Sequence, residues 1–154
     1  MGHGNSLYLP SLHVPLVIRY PGGTPAGGRV TQPVALRDVA ATVLDLAGIP
    51  GPSPIPGRTL TRFWRDSAPG GPDTLLMEVA ANPRLPRGTP LDKGSMRAVI
   101  LDSLHYILNG DQREELYDFL RDSVERHDLS GNAADLNRHR EALKALVPGP
   151  GVRP

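Results

Sequence analysis

The chain has 154 residues, enough for one modest core or for a piece of a larger fold. Its 17 basic and 16 acidic residues leave a net charge of +1, so no single-sign field favours nucleic acid or a membrane surface. With no cysteine, disulfides, thiolate nucleophiles and Cys-type zinc sites are excluded within the chain, and no apolar run approaches the ~20 residues that span a bilayer.

Glycine and proline, 17 of each, predict a loop-rich fold with few long elements. The first ordered stretch, Val14-Pro15-Leu16-Val17-Ile18-Arg19-Tyr20, is short, apolar and rich in β-branched residues, and Pro21-Gly22-Gly23 stops it. Its poor alternation predicts a strand buried on both faces. Leu36 to Ala47 reads as a helix, with Leu36, Val39, Ala40, Val43 and Ala47 forming the stripe expected to be buried. Asp38 lies in its first turn, where a carboxylate suits the positive helix end, and Gly48 followed by Pro50 supplies the stop. Leu60 to Trp64 reads as a short helical turn, and residues 67–73 as a loop and subdomain boundary.

Beyond that loop the period changes from helical to alternating. Thr74–Ala80, Met96–Leu101, His105–Leu108 and Glu115–Tyr117 read as strands. Asp102-Ser103 and Asn109-Gly110-Asp111 are tight turns, which force antiparallel pairing. Asn132, with Asp135 three residues on, caps a final helix whose buried stripe is Leu136, Leu143 and Val147, and residues 148–154 form a tail.

A strand buried on both faces needs hydrogen-bonding neighbours on each side, and the first 70 residues supply none. The expectation is that those neighbours lie upstream, outside this chain. The competing reading is an edge strand of a small independent fold.

Several phrases then occur in a telling order: Gly2-His3-Gly4-Asn5-Ser6-Leu7-Tyr8, Leu12-His13-Val14-Pro15-Leu16-Val17-Ile18-Arg19-Tyr20-Pro21-Gly22, and the Leu36–Pro50 helix with Leu44-Asp45-Leu46-Ala47-Gly48-Ile49. Gly57-Arg58-Thr59-Leu60, Leu104-His105-Tyr106-Ile107 and Glu114-Glu115-Leu116-Tyr117-Asp118 follow, with a degraded Asp122–Leu129. Together they resemble the carboxy-terminal portion of type I sulfatases of the alkaline-phosphatase superfamily.

The resemblance implies an α/β fold: the last part of an alkaline-phosphatase-like domain (strand plus helix, residues 1–66), then a small four-stranded antiparallel sheet with a C-terminal helix (residues 67–147). It implies hydrolysis of sulfate esters by a full-length parent that uses formylglycine and calcium. Neither cofactor is expected within this chain, which lacks the Cys/Ser-x-Pro-x-x-Arg motif and paired aspartates. The implied partners are the missing N-terminal catalytic half and, in the parent, a sulfate-ester substrate. The chain alone is therefore expected to be inactive.

One family position maps onto this sequence. His3, between two glycines, falls where sulfatases place a late Lys or His, which implies both substrate contact and a catalytic role. A cationic imidazole there neutralises sulfate oxygens or protonates the leaving alkoxide. Phosphonate or phosphodiester hydrolases and phosphoethanolamine or phosphoglycerol transferases share the scaffold and stay open as alternatives, as does a stand-alone interaction module. His13, His127 and His139 lack partners at metal-ligand spacing and read as surface or core histidines. Arg84 and Arg87 lie in the long connection between the first two sheet strands; a solvated loop is the simpler reading of them, and a margin that meets an anionic sugar or lipid head is the sharper one.

Overall fold

The computed structural model describes residues 5–49, 55–66, 70, 73–82 and 84–147. Among these, the residues up to Val14 pack with those from Thr74 onward as one unit, and those within Pro15–Asp73 form a second.

The first unit is a meander. Strands β1 (Leu75–Val79), β2 (Met96–Leu101), β3 (Leu104–Leu108) and β4 (Glu114–Asp118) lie in sequence order, each antiparallel to the next. Alternation gives the sheet two apolar faces. Met96, Ala98, Ile107 and Tyr117 point to one face, which is covered by Leu7 and by Leu91 of a 3-10 turn over Pro90–Lys93. Val99, Tyr106 and Leu116 point to the other, covered by Leu143, Leu136 and Val147. The last three belong to or flank helix α4 (Ala133–Leu146), where the Asn132 side chain accepts from the Asp135 amide at 3.4 Å.

The β2–β3 connection is the tight Asp102-Ser103 turn, with Asp102 in the left-handed region at φ 56°. The β3–β4 turn is closed by Asn109 N–H donating to Arg113 C=O at 2.9 Å. It also passes very close to the chain after the 3-10 turn: a Cβ built on Gly110 would lie 2.4 Å from both Gly94 Cα and Lys93 O. Both obstacles are backbone, so no side-chain rotation relieves the clash. Gly110→Ala is therefore expected to destabilise the sheet unit by about 1–3 kcal/mol, read from the urea midpoint.

The helix face of the sheet carries an ion cluster. Arg140 Nε donates to Glu114 Oε1 at 2.6 Å, and Tyr106 Oη donates to the same oxygen at 2.5 Å. The Arg140 hydrogen bond, aided by Tyr106, holds the Glu114 carboxyl below its usual 4.5. In the second unit, hydrogen bonds from Thr61 and Thr59 hold Asp45 below 3.8. Both groups take up protons more readily unfolded than folded, so their stabilisation is complete above pH 4.5 and is lost as pH falls through the lowered values. The thermal midpoint should be flat towards neutral pH and drop on acidification below that point, and Glu114→Gln should shrink the drop.

The second unit inverts one expectation. Helix α2 (Leu36–Leu46) forms as predicted and ends in a Schellman stop: Ile49 N–H reaches Leu44 C=O at 3.1 Å, Gly48 N–H reaches Asp45 C=O at 3.0 Å, and Gly48 has φ 67°. Its buried residues, however, are Asp38, Ala41 and Thr42, while Leu36 is 73% and Val43 59% exposed. The polar face turns inward because residues 58–60 need partners. Asp38 accepts from Arg58 N–H at 3.0 Å, and Thr42 Oγ1 accepts from Leu60 N–H at 2.8 Å. The short helix α3 (Arg62–Arg65) follows, with the Arg62 guanidinium donating to Arg58 and Thr59 carbonyls at 2.9 and 2.6 Å and to Asp73 at 2.9 Å.

The strand expected over 14–20 does not form. The backbone carries no ladder there, and Val17 is 88% exposed. A segment patterned for burial on two faces finds no flanking strand among the described residues, so it has nothing to pair with.

Candidate functional site

His3 lies outside the described residues, so what the structure gives is the stretch that follows it. That stretch is fastened to the sheet. Leu7 and Leu9 are buried, and α1 (Leu9–Leu12) is a single turn with Pro10 near its start. Tyr8 Oη donates to Glu115 Oε2 at 2.6 Å, and the Tyr8 ring meets Tyr117 edge-on at 6.4 Å between centroids. Burial and the adjacent Glu115 carboxylate push the Tyr8 phenol well above its ordinary value, so it stays a donor.

A second buried carboxylate completes the attachment. Glu125 Oε2 accepts from Leu9 N–H at 2.7 Å, and Oε1 meets His105 Nδ1 at 2.5 Å. The side chains of His105 and Glu125 are 0% and 1% exposed. Leu9 opens α1 without help from its own N-cap side chain, so Glu125 satisfies an otherwise orphaned helix donor from 116 residues away. Glu125 holds this position with φ 55°, a conformation uncommon outside glycine.

Beside this attachment lies a cleft of about 210 Å³ between residues 88–93 and the β3–β4 turn. Tyr8, Pro90, Lys93, Asn109 and Glu115 are among its walls. Glu115 is buried and receives Asn109 Nδ2 at 3.3 Å and the Arg113 guanidinium at 3.0 Å in addition to Tyr8. Arg113 and Lys93 remain more than half exposed, with Lys93 paired to Asp111 at 2.7 Å.

The remaining sequence candidates are dispersed. His139 is a buried core histidine on α4, with Nδ1 2.7 Å from Asp135 C=O. His127 is exposed near Asp122, and Glu78 pairs with Arg97 at 2.9 Å across the β1–β2 register. Arg84 and Arg87 enter no ion pair among the described residues. No three His, Asp or Glu side chains converge on a metal-sized site among the described residues, so their donor set does not fit a calcium ion. Sequence reasoning missed Glu115, Glu125 and His105. The alternation of β4 carries a signal for the first, since Glu115 shares the inward face with Tyr117.

The meander backed by one helix, with the helical unit beside it in sequence, matches in fold a part of larger solved structures. Residues 4–77 match the family described as N-sulphoglucosamine sulphohydrolase, C-terminal. Arylsulfatase K of Danio rerio is 46% identical over 55 residues, 36% of this chain and 10% of that protein. Two solved structures share the fold: a 2-O GAG sulfatase (TM-score 0.55, 24% identity, 71% of this chain and 23% of that one), and the phosphonate monoester hydrolase of Agrobacterium radiobacter (TM-score 0.55, 20% identity, 82% and 26%). Residues 4–77 thus resemble the C-terminal region of a sulfatase, and the match spans a tenth of the length of the curated relatives.

Proposed function

We propose that this chain is the C-terminal part of a hydrolase that cleaves sulfate esters, and that it completes an active site whose nucleophile and calcium ligands lie on a preceding catalytic half. The observation that carries this reading is the outward apolar face of the second unit. Leu16, Val17, Tyr20, Leu36 and Val43 are all exposed, although their pattern is that of buried strand and helix. A parallel sheet supplied by the catalytic half gives Val14–Tyr20 strand partners and covers α2. Calcium and formylglycine, when present in the full-length enzyme, supply the Lewis acid and the nucleophile.

In this reading His3 contacts the sulfate group and stabilises the leaving oxygen, and the Tyr8–Glu115 and Leu9–Glu125 attachments hold its segment on the sheet. The chain alone is expected to show no hydrolysis of 4-nitrophenyl sulfate, whereas the full-length enzyme hydrolyses it in preference to aryl phosphate diesters. Hydrolysis by the chain alone, or preference for the diester, contradicts the reading.

A further inference from the structure

We propose that the peptide bond between Arg87 and Gly88 is a processing site for a serine protease with an acidic specificity pocket, and that the cut molecule stays assembled as two chains. Of the 17 lysines and arginines, only Arg84 and Arg87 follow a proline, in Pro83-Arg84-Leu85-Pro86-Arg87-Gly88. Such a protease holds the guanidinium before the cut bond with a carboxylate at the base of its pocket. An adjoining apolar pocket that takes proline then selects among arginines. Arg87 is exposed and enters no ion pair among the described residues, so its charge is free for that carboxylate. Gly88 is exposed as well, with open space where a Cβ would stand.

The two arginines that follow proline are not equivalent. The bond after Arg84 leads into Leu85, which packs against the cluster of Leu7, Leu91 and Met96, and whose N–H donates to Asn82 C=O at 3.1 Å. The bond after Arg87 lies in a surface turn. Thr89 N–H and Oγ1 reach Pro86 C=O at 3.4 and 3.1 Å, and Gly88 N–H donates to Asp92 Oδ2 at 3.1 Å. A protease reads an extended chain, so this turn must open before it is cut. Its bonds are few and face solvent, so opening costs little. Gly88, at φ 86°, leaves the left-handed region without a steric barrier. Buried Leu91 pins the chain just beyond and confines the opening to the loop.

Hydrolysis adds one water across the bond. The carbonyl carbon of Arg87 gains the oxygen and becomes a carboxylate, and its proton passes to the departing Gly88 nitrogen, which becomes an ammonium. Asp92, already an acceptor for that nitrogen, then faces a cation. The pieces, residues 1–87 and 88–154, remain joined by the β1–β2 ladder, in register from Leu75 opposite Ile100 to Val79 opposite Met96. Tyr8 on Glu115 and Leu9 on Glu125 join them again. None of these contacts needs an unbroken chain at the turn. Nothing in this chemistry depends on the function proposed above, so either stands if the other fails.

The test is limited digestion of the full chain with thrombin, a serine protease of this specificity, with the products weighed by mass spectrometry. The first pair should be residues 1–87 and 88–154, co-eluting with the uncut chain in gel filtration and separating only in urea. Arg87→Gln should slow the first cut by about tenfold or more. Asp92→Ala, which frees the Gly88 N–H, should speed it by about threefold or more. First cleavage elsewhere, Arg87→Gln cut at the original rate, or survival of the chain under conditions that cut a peptide of residues 82–92 overturns the site. Fragments that separate without urea overturn the assembled two-chain form. An unchanged rate in Asp92→Ala overturns the turn as the brake on cutting.

Discussion

On the proposed function, His3→Ala is expected to lower kcat of the full-length protein on 4-nitrophenyl sulfate by about 10²–10⁴-fold, the range for loss of one positioned proton donor or charge stabiliser. Charge on the bridging oxygen grows as the S–O bond breaks, so an imidazolium there matters more in the transition state than in the ground state. The fall should therefore appear in kcat, with KM changed far less. His3→Lys should recover much of the loss, because an ammonium supplies the same charge and an N–H donor. If His3→Ala leaves kcat within threefold, position 3 has no part in the reaction.

The second large effect is on folding. Glu125→Ala removes the carboxylate that holds both His105 and the first amide of α1. Two buried donors lose their partner at once, and breaking such a buried pair typically costs about 3–5 kcal/mol. The midpoint of urea unfolding for the sheet unit should fall accordingly, while Glu141→Ala, on the exposed face of α4, should leave it unchanged. Because Glu125 anchors the segment that follows His3, a fluorine label near residue 5 should also sharpen in the variant. An unfolding free energy within about 1 kcal/mol of the unsubstituted chain would show that the pair contributes little.

Much of the sheet unit was legible before its coordinates. Met96–Leu101 matches its predicted bounds, and the other strands differ by a residue or so, because alternating apolar residues between tight turns specify an antiparallel meander. The Asn132 cap and the Leu136, Leu143, Val147 stripe place α4 for the same local reason. Helix α2 was legible in extent but not in orientation. Periodicity identifies an apolar stripe; it does not say whether the surface that covers that stripe is in the same chain. The segment at 14–20 misled in the same way, since a strand is a relation between neighbours. The Glu125–His105–Leu9 attachment was illegible because it joins residues 20 and 116 positions apart, through an acid in a left-handed loop position that has no pattern to read.

Amide hydrogen exchange over residues 14–20 bears most directly on the claim that this chain is completed by a catalytic half. In the chain alone these amides have no ladder and should exchange near the rate of an unfolded peptide. In the full-length enzyme they should be protected by orders of magnitude, with the exposed flank of α2 shielded alongside them. Equal exchange in both contexts would contradict the account.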